Sequence, residues 1–209
     1  MEPTAVEMRV LGCLIEKQRT TPDAYPLSLN ALRLACNQAT NRDPVVAYDE
    51  PTVREALSHL SRRRWVRLAS GAGRRTIKYR HLLDETLGLD RGELALLAVL
   101  MLRGAQTPGE LSQRAERLER FDGLASVEAT LARLASRELV RRLDRRPGQK
   151  EARYIQLLSE EADSGSDAGL GEAGPEPASD PVAGLVARVD GLERELSSVR
   201  AELERLRDG

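Results

Sequence analysis

Thr52-Val53-Arg54-Glu55-Ala56-Leu57-Ser58-His59-Leu60, followed by Trp65-Val66-Arg67, is answered 74 residues later by Ser126-Val127-Glu128-Ala129-Thr130-Leu131-Ala132-Arg133-Leu134, followed by Leu139-Val140-Arg141. The shared part is a mechanical pattern: apolar residues at helical spacing, a short apolar run, a Gly turn, then Ile77 and Tyr79 in one copy and Tyr154 and Ile155 in the other. Such a pattern predicts a helix running into a β-hairpin. Upstream, Glu7, Val10, Leu11, Leu14 and Thr21-Pro22 match Glu93, Leu96, Leu97, Leu100 and Thr107-Pro108, so each copy carries two earlier helices. Helix, helix, helix, hairpin is the order of a winged helix-turn-helix. The expectation is an α+β, mainly helical fold with two such domains in tandem, at residues 1–85 and 86–158.

Local signals place the elements. In the first copy Val6, Val10, Leu11, Leu14 and Ile15 form one apolar stripe ending before Thr20-Thr21-Pro22, and Ser28 can cap a second helix that buries Leu29, Leu32 and Cys36. Val45 to Tyr48 reads as a short strand, Asp49 as a helix cap, and Pro51 falls in the first turn, where a missing N–H is harmless. In the third helix Val53, Ala56, Leu57 and Leu60 point inward, which sends Arg54, Ser58, His59 and Arg62 toward solvent. The second copy offers two capping boxes, Asp90 with Glu93 and Thr107 with Glu110, and a third helix from Ser126 to about Glu138.

Composition excludes several classes. A chain of 209 residues, 41% hydrophobic and 31% charged, buries one or two cores of ordinary size. No apolar run approaches the roughly 20 residues of a membrane span, and the N-terminus lacks the basic-then-apolar layout of a signal peptide. A soluble, cytoplasmic protein that does not engage membranes is expected. Cys13 and Cys36 read as small buried thiols, and with the isolated His59 and His81 they make no metal-ligand spacing. Ser70-Gly71-Ala72-Gly73 joins two strands and does not open a helix, so it is a hairpin turn and not a phosphate cradle. With no nucleophile-base constellation around either His, neither catalysis nor a cofactor is expected.

The net charge of −1 hides an asymmetry: residues 159–209 carry 13 acids and five bases, leaving 20 acids and 27 bases in residues 1–158. A basic body suits phosphate attraction. Only Lys17, Lys78 and Lys150 are Lys, however, and so Arg-rich a chain also reflects a GC-rich coding bias.

The run from Thr21-Pro22-Asp23-Ala24-Tyr25-Pro26 through Leu27-Ser28-Leu29-Asn30-Ala31-Leu32, then Ala35-Cys36-Asn37-Gln38, Thr40-Asn41-Arg42 and Pro44-Val45, resembles a signature of the bacterial YceH-like family. Met101-Leu102-Arg103-Gly104-Ala105-Gln106-Thr107-Pro108-Gly109-Glu110-Leu111, with Arg114, Arg117-Leu118 and Phe121, is similar to that family's other signature. The resemblance covers residues 7 to about 158 and leaves the tail outside. It implies a tandem winged-helix fold in a cytoplasmic bacterial protein, and carries over no catalytic or DNA-reading residue.

Two features admit two readings. Tyr25, Asn30, Asn37, Gln38, Asn41 and Arg42 form a motif surface of unassigned role. Asn and Gln there act as helix stops and turn formers, the favoured reading, or as a recognition surface, since amides pair with adenine edges and Arg with guanine. The third helices open on acids, Asp49, Glu50 and Glu55 in one copy and Glu128 in the other, which suit the helix dipole and repel phosphates. The candidate DNA contacts are therefore Arg54, Ser58, His59, Arg62 and Arg63 on the third helix and, preferentially, Arg74, Arg75, Lys78, Arg145, Arg146 and Lys150 on the wings. Double-stranded DNA is the expected partner, for a regulator or architectural factor. The alternative is a scaffold whose winged helices bind another protein and not DNA.

Residues 159–181 carry seven acids, no base and much Gly and Pro, the composition of a disordered linker. Over 182–208, Val182, Leu185, Val189, Leu192, Leu196, Val199, Leu203 and Leu206 alternate spacings of three and four without a miss, a coiled-coil seam. A parallel pair sets Arg188 against Glu193, Glu195 against Arg200 and Glu202 against Arg207, whereas the antiparallel alignment sets Glu195 against itself. A parallel homodimer is expected, with a trimer also compatible. Light scattering of the full chain should then give at least twice the mass of the chain ending at Leu158, after allowing for the deleted residues. Two monomers at tens of micromolar would refute the seam.

Overall fold

The computed structural model describes residues 2–69, 77–145 and 151–159. The acidic segment from residue 160, the coiled-coil helix expected over 182–208 with Leu185, Val189, Leu192, Leu196, Val199, Leu203 and Leu206, and the tips of the two expected wings, residues 70–76 and 146–150, lie outside the described residues.

The fold is α+β. The first repeat runs α1 (Ala5–Thr20), a short 3-10 turn, β1 (Leu27–Ser28), α2 (Leu29–Cys36), α3 (Glu50–Arg62), β2 (Val66–Leu68) and β3 (Lys78–His81). After α4 (Leu83–Leu87) the second runs α5 (Arg91–Arg103), α6 (Pro108–Ala115), α7 (Leu124–Ser136), β4 (Val140–Arg142) and β5 (Tyr154–Gln156). The helix starts are set locally. Thr4, Ser28 and Asp49 accept hydrogen bonds from the amides of Glu7 (3.3 Å), Ala31 (3.3 Å) and Thr52 (2.9 Å), satisfying donors that the first turn leaves free. Asp90–Glu93 and Thr107–Glu110 form the two reciprocal capping boxes.

The strands close each repeat. β1, β3 and β2 make an antiparallel sheet in the order β1-β3-β2, with Leu27 opposite Tyr79 and Val66 opposite His81. In the second repeat β4 pairs with β5, and the place of β1 is taken by a single bridge in which Gln106 and Tyr154 exchange backbone hydrogen bonds of 3.0 and 2.7 Å. The strand expected over Val45 to Tyr48 is not formed. The backbone there is held by the Asn37 side chain, which donates to the Tyr48 carbonyl and accepts from its amide, both at 2.8 Å, in place of a neighbouring strand.

The 74-residue repeat persists in backbone detail. Arg64 (φ 62°) and Glu138 (φ 55°) both take the left-handed conformation that ends the third helix, and behind them Trp65 and Leu139 donate to Leu60 and Leu134, each at 3.0 Å. Leu82 then donates to Trp65 (2.7 Å) as Leu157 does to Leu139 (2.9 Å). A non-glycine left-handed residue is disfavoured, and the early closure of the hairpin behind it offsets that cost.

The two repeats share their core. The sequence offered one apolar stripe on the first helix, yet in α1 every residue from Glu7 to Glu16 is buried, and in α5 every residue from Glu93 to Leu102. A helix buried on all sides lies inside something larger than its own repeat. α1 and α5 pack on each other at the centre of a compact unit spanning Met1–Ala168, and the boundary expected after residue 85 falls within α4. Gly12 sets the closeness of the crossing: a Cβ there would sit 3.0 Å from Leu102 Cδ2 and 3.1 Å from Met101 Cβ. The unbroken apolar run Leu94 to Leu102 was the signal for this burial.

His81 anchors the first hairpin and is 1% exposed. Its amide donates to the Tyr25 hydroxyl (2.9 Å), its Nε2 lies 2.7 Å from Gln18 Oε1, and its Nδ1 is 3.5 Å from the Asp84 carboxylate without hydrogen-bond geometry. Burial pushes the imidazole down from 6.5 to about 4, against the pull of Asp84 and with help from Arg80 and Arg19. Between those values the unfolded chain holds a proton that the folded one excludes. Stability from this group is therefore complete above about pH 6.5 and lost as pH falls toward 4. Urea unfolding over that window should show stability falling with pH by at most about 3 kcal/mol. His81→Gln should flatten the slope; an unchanged slope would remove His81 as its source.

Candidate nucleic-acid interface

The third helix and hairpin of each repeat carry most of the expected contacts. At the start of α3, Asp49 is fully exposed, and the Thr52 hydroxyl and amide hold its carboxyl below the ordinary range, keeping an anion beside exposed Glu50 and Glu55. Arg54 is exposed but turned onto Glu50 in an ion pair. Ser58 is exposed and accepts from Arg62 Nη1 at 3.3 Å. His59 departs from the expected solvent orientation: its Nδ1 sits 2.8 Å from the buried Glu7 carboxylate of α1, because that carboxylate has been carried into the core and needs a partner. Arg63 is half-buried with its guanidinium 5.5 Å above the Trp65 ring. Lys78 is half-buried on β3, and Arg145 is exposed beyond β4. Arg74, Arg75, Arg146 and Lys150 lie outside the described residues.

In α7 the bases serve packing. Arg133 binds Asp90 (2.8 Å) and Glu93 (3.4 Å), and Arg137 binds Glu93 (3.3 Å) and the carbonyl ends of α4, so both fasten α7 to the capping box of α5. Arg64, Arg67, Arg141 and Arg142, at the turn and on the hairpin strands that follow the third helices, are also exposed and were not among the expected contacts. Period-two alternation was the signal for Arg67 and Arg141, which follow the buried Val66 and Val140, but not for Arg142, which is exposed beside Arg141. Arg62, Arg64, Arg67, Arg142 and Arg145 have no carboxylate partner among the described residues.

The amide-rich motif is mostly half-buried. Tyr25 is half-buried on the His81 amide, and burial pushes its hydroxyl up to about 12. Asn30 is exposed and accepts from Arg33 at 3.0 Å. Asn37 clamps Tyr48 as described, and Gln38 Oε1 accepts from Arg42 at 3.1 Å. Arg42 does not sit on a surface: its side chain is fully buried against the Glu16 carboxylate of α1 (2.6 Å) and also donates to the carbonyls of Ala35 (3.1 Å) and Asn41 (2.8 Å). Burial works to lower the Arg42 pKa, and the Glu16 hydrogen bond with neighbouring charges reverses the balance, leaving it above its ordinary value.

This cluster joins the repeats. Glu16 takes Arg117 of the second repeat on its other oxygen, Arg103 at the end of α5 donates to Asn41 Oδ1 at 2.6 Å, and the Asp43 amide donates to the Leu102 carbonyl at 2.9 Å. Asn41 can reach Arg103 because it adopts φ 60°, a left-handed conformation Asn tolerates. Beside them Cys13 and Cys36 are free and buried; the hydrogen bond with Cys13, and then burial, push the Cys36 thiol well above its ordinary range. Among the described residues no group of His, Cys, Asp and Glu is placed to hold a metal ion, and no helix is long and apolar enough to cross a membrane.

The family model described as "Protein of unknown function, DUF480" matches residues 4–149. The chain is 47% identical to the UPF0502 protein YceH of Salmonella paratyphi A over 212 residues, covering 98% of this chain and 96% of that one. It is 46% identical to the proteins of the same name in Salmonella enteritidis and Salmonella typhimurium, over the same shares of each chain. These alignments run past residue 158, so the likeness includes most of the tail that the motif resemblance had left out.

Glu16 is the keystone of the joint, and its removal should tell. Glu16→Leu strands Arg42 as a buried cation and should lower stability by about 3 to 5 kcal/mol in urea unfolding. Glu16→Leu combined with Arg42→Met should recover much of that loss, since it removes the orphaned charge. A single variant within 1 kcal/mol of wild type would show that the pair does not organise the joint.

Proposed function

The chain belongs to the UPF0502 family of YceH proteins, and from that premise we propose that it is a tandem winged-helix protein that binds double-stranded DNA as a regulator or architectural factor. In this reading it acts in the cytoplasm, catalyses no reaction, and is paired by the heptad seam of residues 182–208. The winged-helix assignment is supported by the order of elements and by the β1-β3-β2 sheet, in which the hairpin folds back beside a strand that precedes the second helix. The observation that carries the DNA reading is that each repeat turns from its third helix into a hairpin through the same left-handed residue, and each hairpin presents arginines to solvent: Arg64 and Arg67 in one, Arg142 and Arg145 in the other. Guanidinium groups without a carboxylate partner are the ones free to neutralise phosphate. The acids at the start of α3 argue against deep base reading there, so the grip falls on the backbone and sequence preference is weak.

One observation favours the rival, a scaffold that binds protein. Leu68 and Ile77, on the hairpin of the first repeat, are each 56% exposed, and exposed aliphatic side chains on a hairpin suit a protein contact better than a phosphate.

Binding of the full chain to a random duplex at two or more salt concentrations separates the readings. For about five or six phosphate contacts the log-log slope should be roughly −4 to −6. Charge reversal at Arg67, Arg141, Arg142 and Arg145 should weaken binding on every sequence and flatten the slope. No binding to any duplex near 50 mM salt would remove the DNA reading and favour the scaffold.

A further inference from the structure

A second buried arginine, this one on α1, has no counter-ion among the described residues. Arg9 is 4% exposed, as deeply placed as Arg42, and lies on the same central helix as Arg42's partner Glu16. Its Nη1 donates to the Cys36 carbonyl (3.2 Å) and its Nη2 to the Pro44 carbonyl (2.7 Å), while its Nε has no partner. No carboxylate among the described residues forms an ion pair with it. Carbonyl dipoles alone leave a buried guanidinium undercompensated, and buried charges are ordinarily paired.

Arg9 also lines a cavity of about 300 Å³. The other walls are largely apolar and come from both repeats: Met8 from α1, Leu100 and Met101 from α5, Ala105 just past it, and Ile155 from β5. A largely apolar hollow with a few convergent polar groups is the form of a small-molecule site, and this volume is at its lower end. Asp43, exposed and also lining the cavity, adds a carboxylate of its own, which disfavours a ligand of more than one negative charge.

We propose that this cavity binds a small mono-carboxylate with an apolar body, its carboxylate balancing Arg9 and its hydrocarbon lying against Met8 and Met101. Because the walls come from α1, α5 and β5, such a ligand bridges the two repeats at their shared core, where occupancy stabilises that packing. The site stands independently of DNA binding.

The test uses the full chain labelled with ¹³C at the methionine methyls. Two of its three methionines line the cavity, and Met1 serves as the reference. Benzoate and hexanoate are the probes, benzyl alcohol and hexanol their neutral counterparts, and inorganic phosphate the polar control. The expected result is a saturable shift of the Met8 and Met101 signals with either carboxylate, with the alcohols about tenfold weaker or more, as loss of a charge-assisted contact requires. Phosphate should leave both signals in place. Ala105→Phe, which fills the cavity without touching Arg9, should abolish the shifts while the thermal midpoint without ligand is retained. Should that variant fail to fold, Ala105→Leu takes its place with the same expectation. Absence of any saturable shift at 10 mM carboxylate, equal binding of acid and alcohol, or undiminished binding in the filled variant would each overturn the proposal.

Discussion

The carboxylate of Glu16, buried on α1 between Arg42 of its own repeat and Arg117 of the next, is the interaction on which the arrangement of the molecule depends. A charge of that kind cannot be left alone. Moving it out of water costs several kcal/mol, and only close, well-directed partners offset that cost. Arg42 meets both oxygens of Glu16 within the first repeat, and Arg117 adds a partner from the second, so the arrangement that brings the repeats together also completes the carboxylate's surroundings. The ion cluster therefore selects the geometry, while the apolar contact of α1 with α5, made close by Gly12, supplies the greater part of the stability.

The family motifs acquire a physical meaning in this light. Asn37, Gln38, Asn41 and Arg42 belong to one signature and Arg103 and Arg117 to the other, and in the folded chain they interlock: Arg42 and Arg117 meet on Glu16, and Arg103 meets Asn41. Burial and the like charges of Arg114 and Arg117 hold Arg103 below its ordinary range, which makes the side-chain amide oxygen of Asn41 a useful partner for it. The surplus of amide groups after α2, more than one helix stop needs, is accounted for by a joint that must satisfy the loop backbone and fix the arginines at once.

What could be read from the sequence was what local physics decides. Asp49, Asp90 and Thr107 cap helices because the group they bind lies three residues on, and the repeat fixed the order of helices and hairpins. What could not be read depends on partners far away in the chain. His59 looked solvent-facing on its own helical wheel, and only the approach of Glu7, 52 residues earlier, turns it inward. Val45 to Tyr48 had the composition of a strand, but an Asn side chain took the hydrogen bonds a strand would have offered. The candidate contacts split along the same line. Outward Arg67 and Arg141 follow from alternation and the Arg54–Glu50 pair from its spacing of four on one helix, whereas the neutralisation of Arg133 and Arg137 by Asp90 and Glu93, more than 40 residues earlier, does not.

The central claim, that two repeats are fused into one cooperative unit by a shared core and a buried ion cluster, is tested most directly by scanning calorimetry of the full chain. The account predicts a single transition for residues 2–159, with calorimetric and van't Hoff enthalpies in agreement. Two resolved transitions, each carrying roughly half the enthalpy, would show that the repeats fold as independent domains and would contradict it.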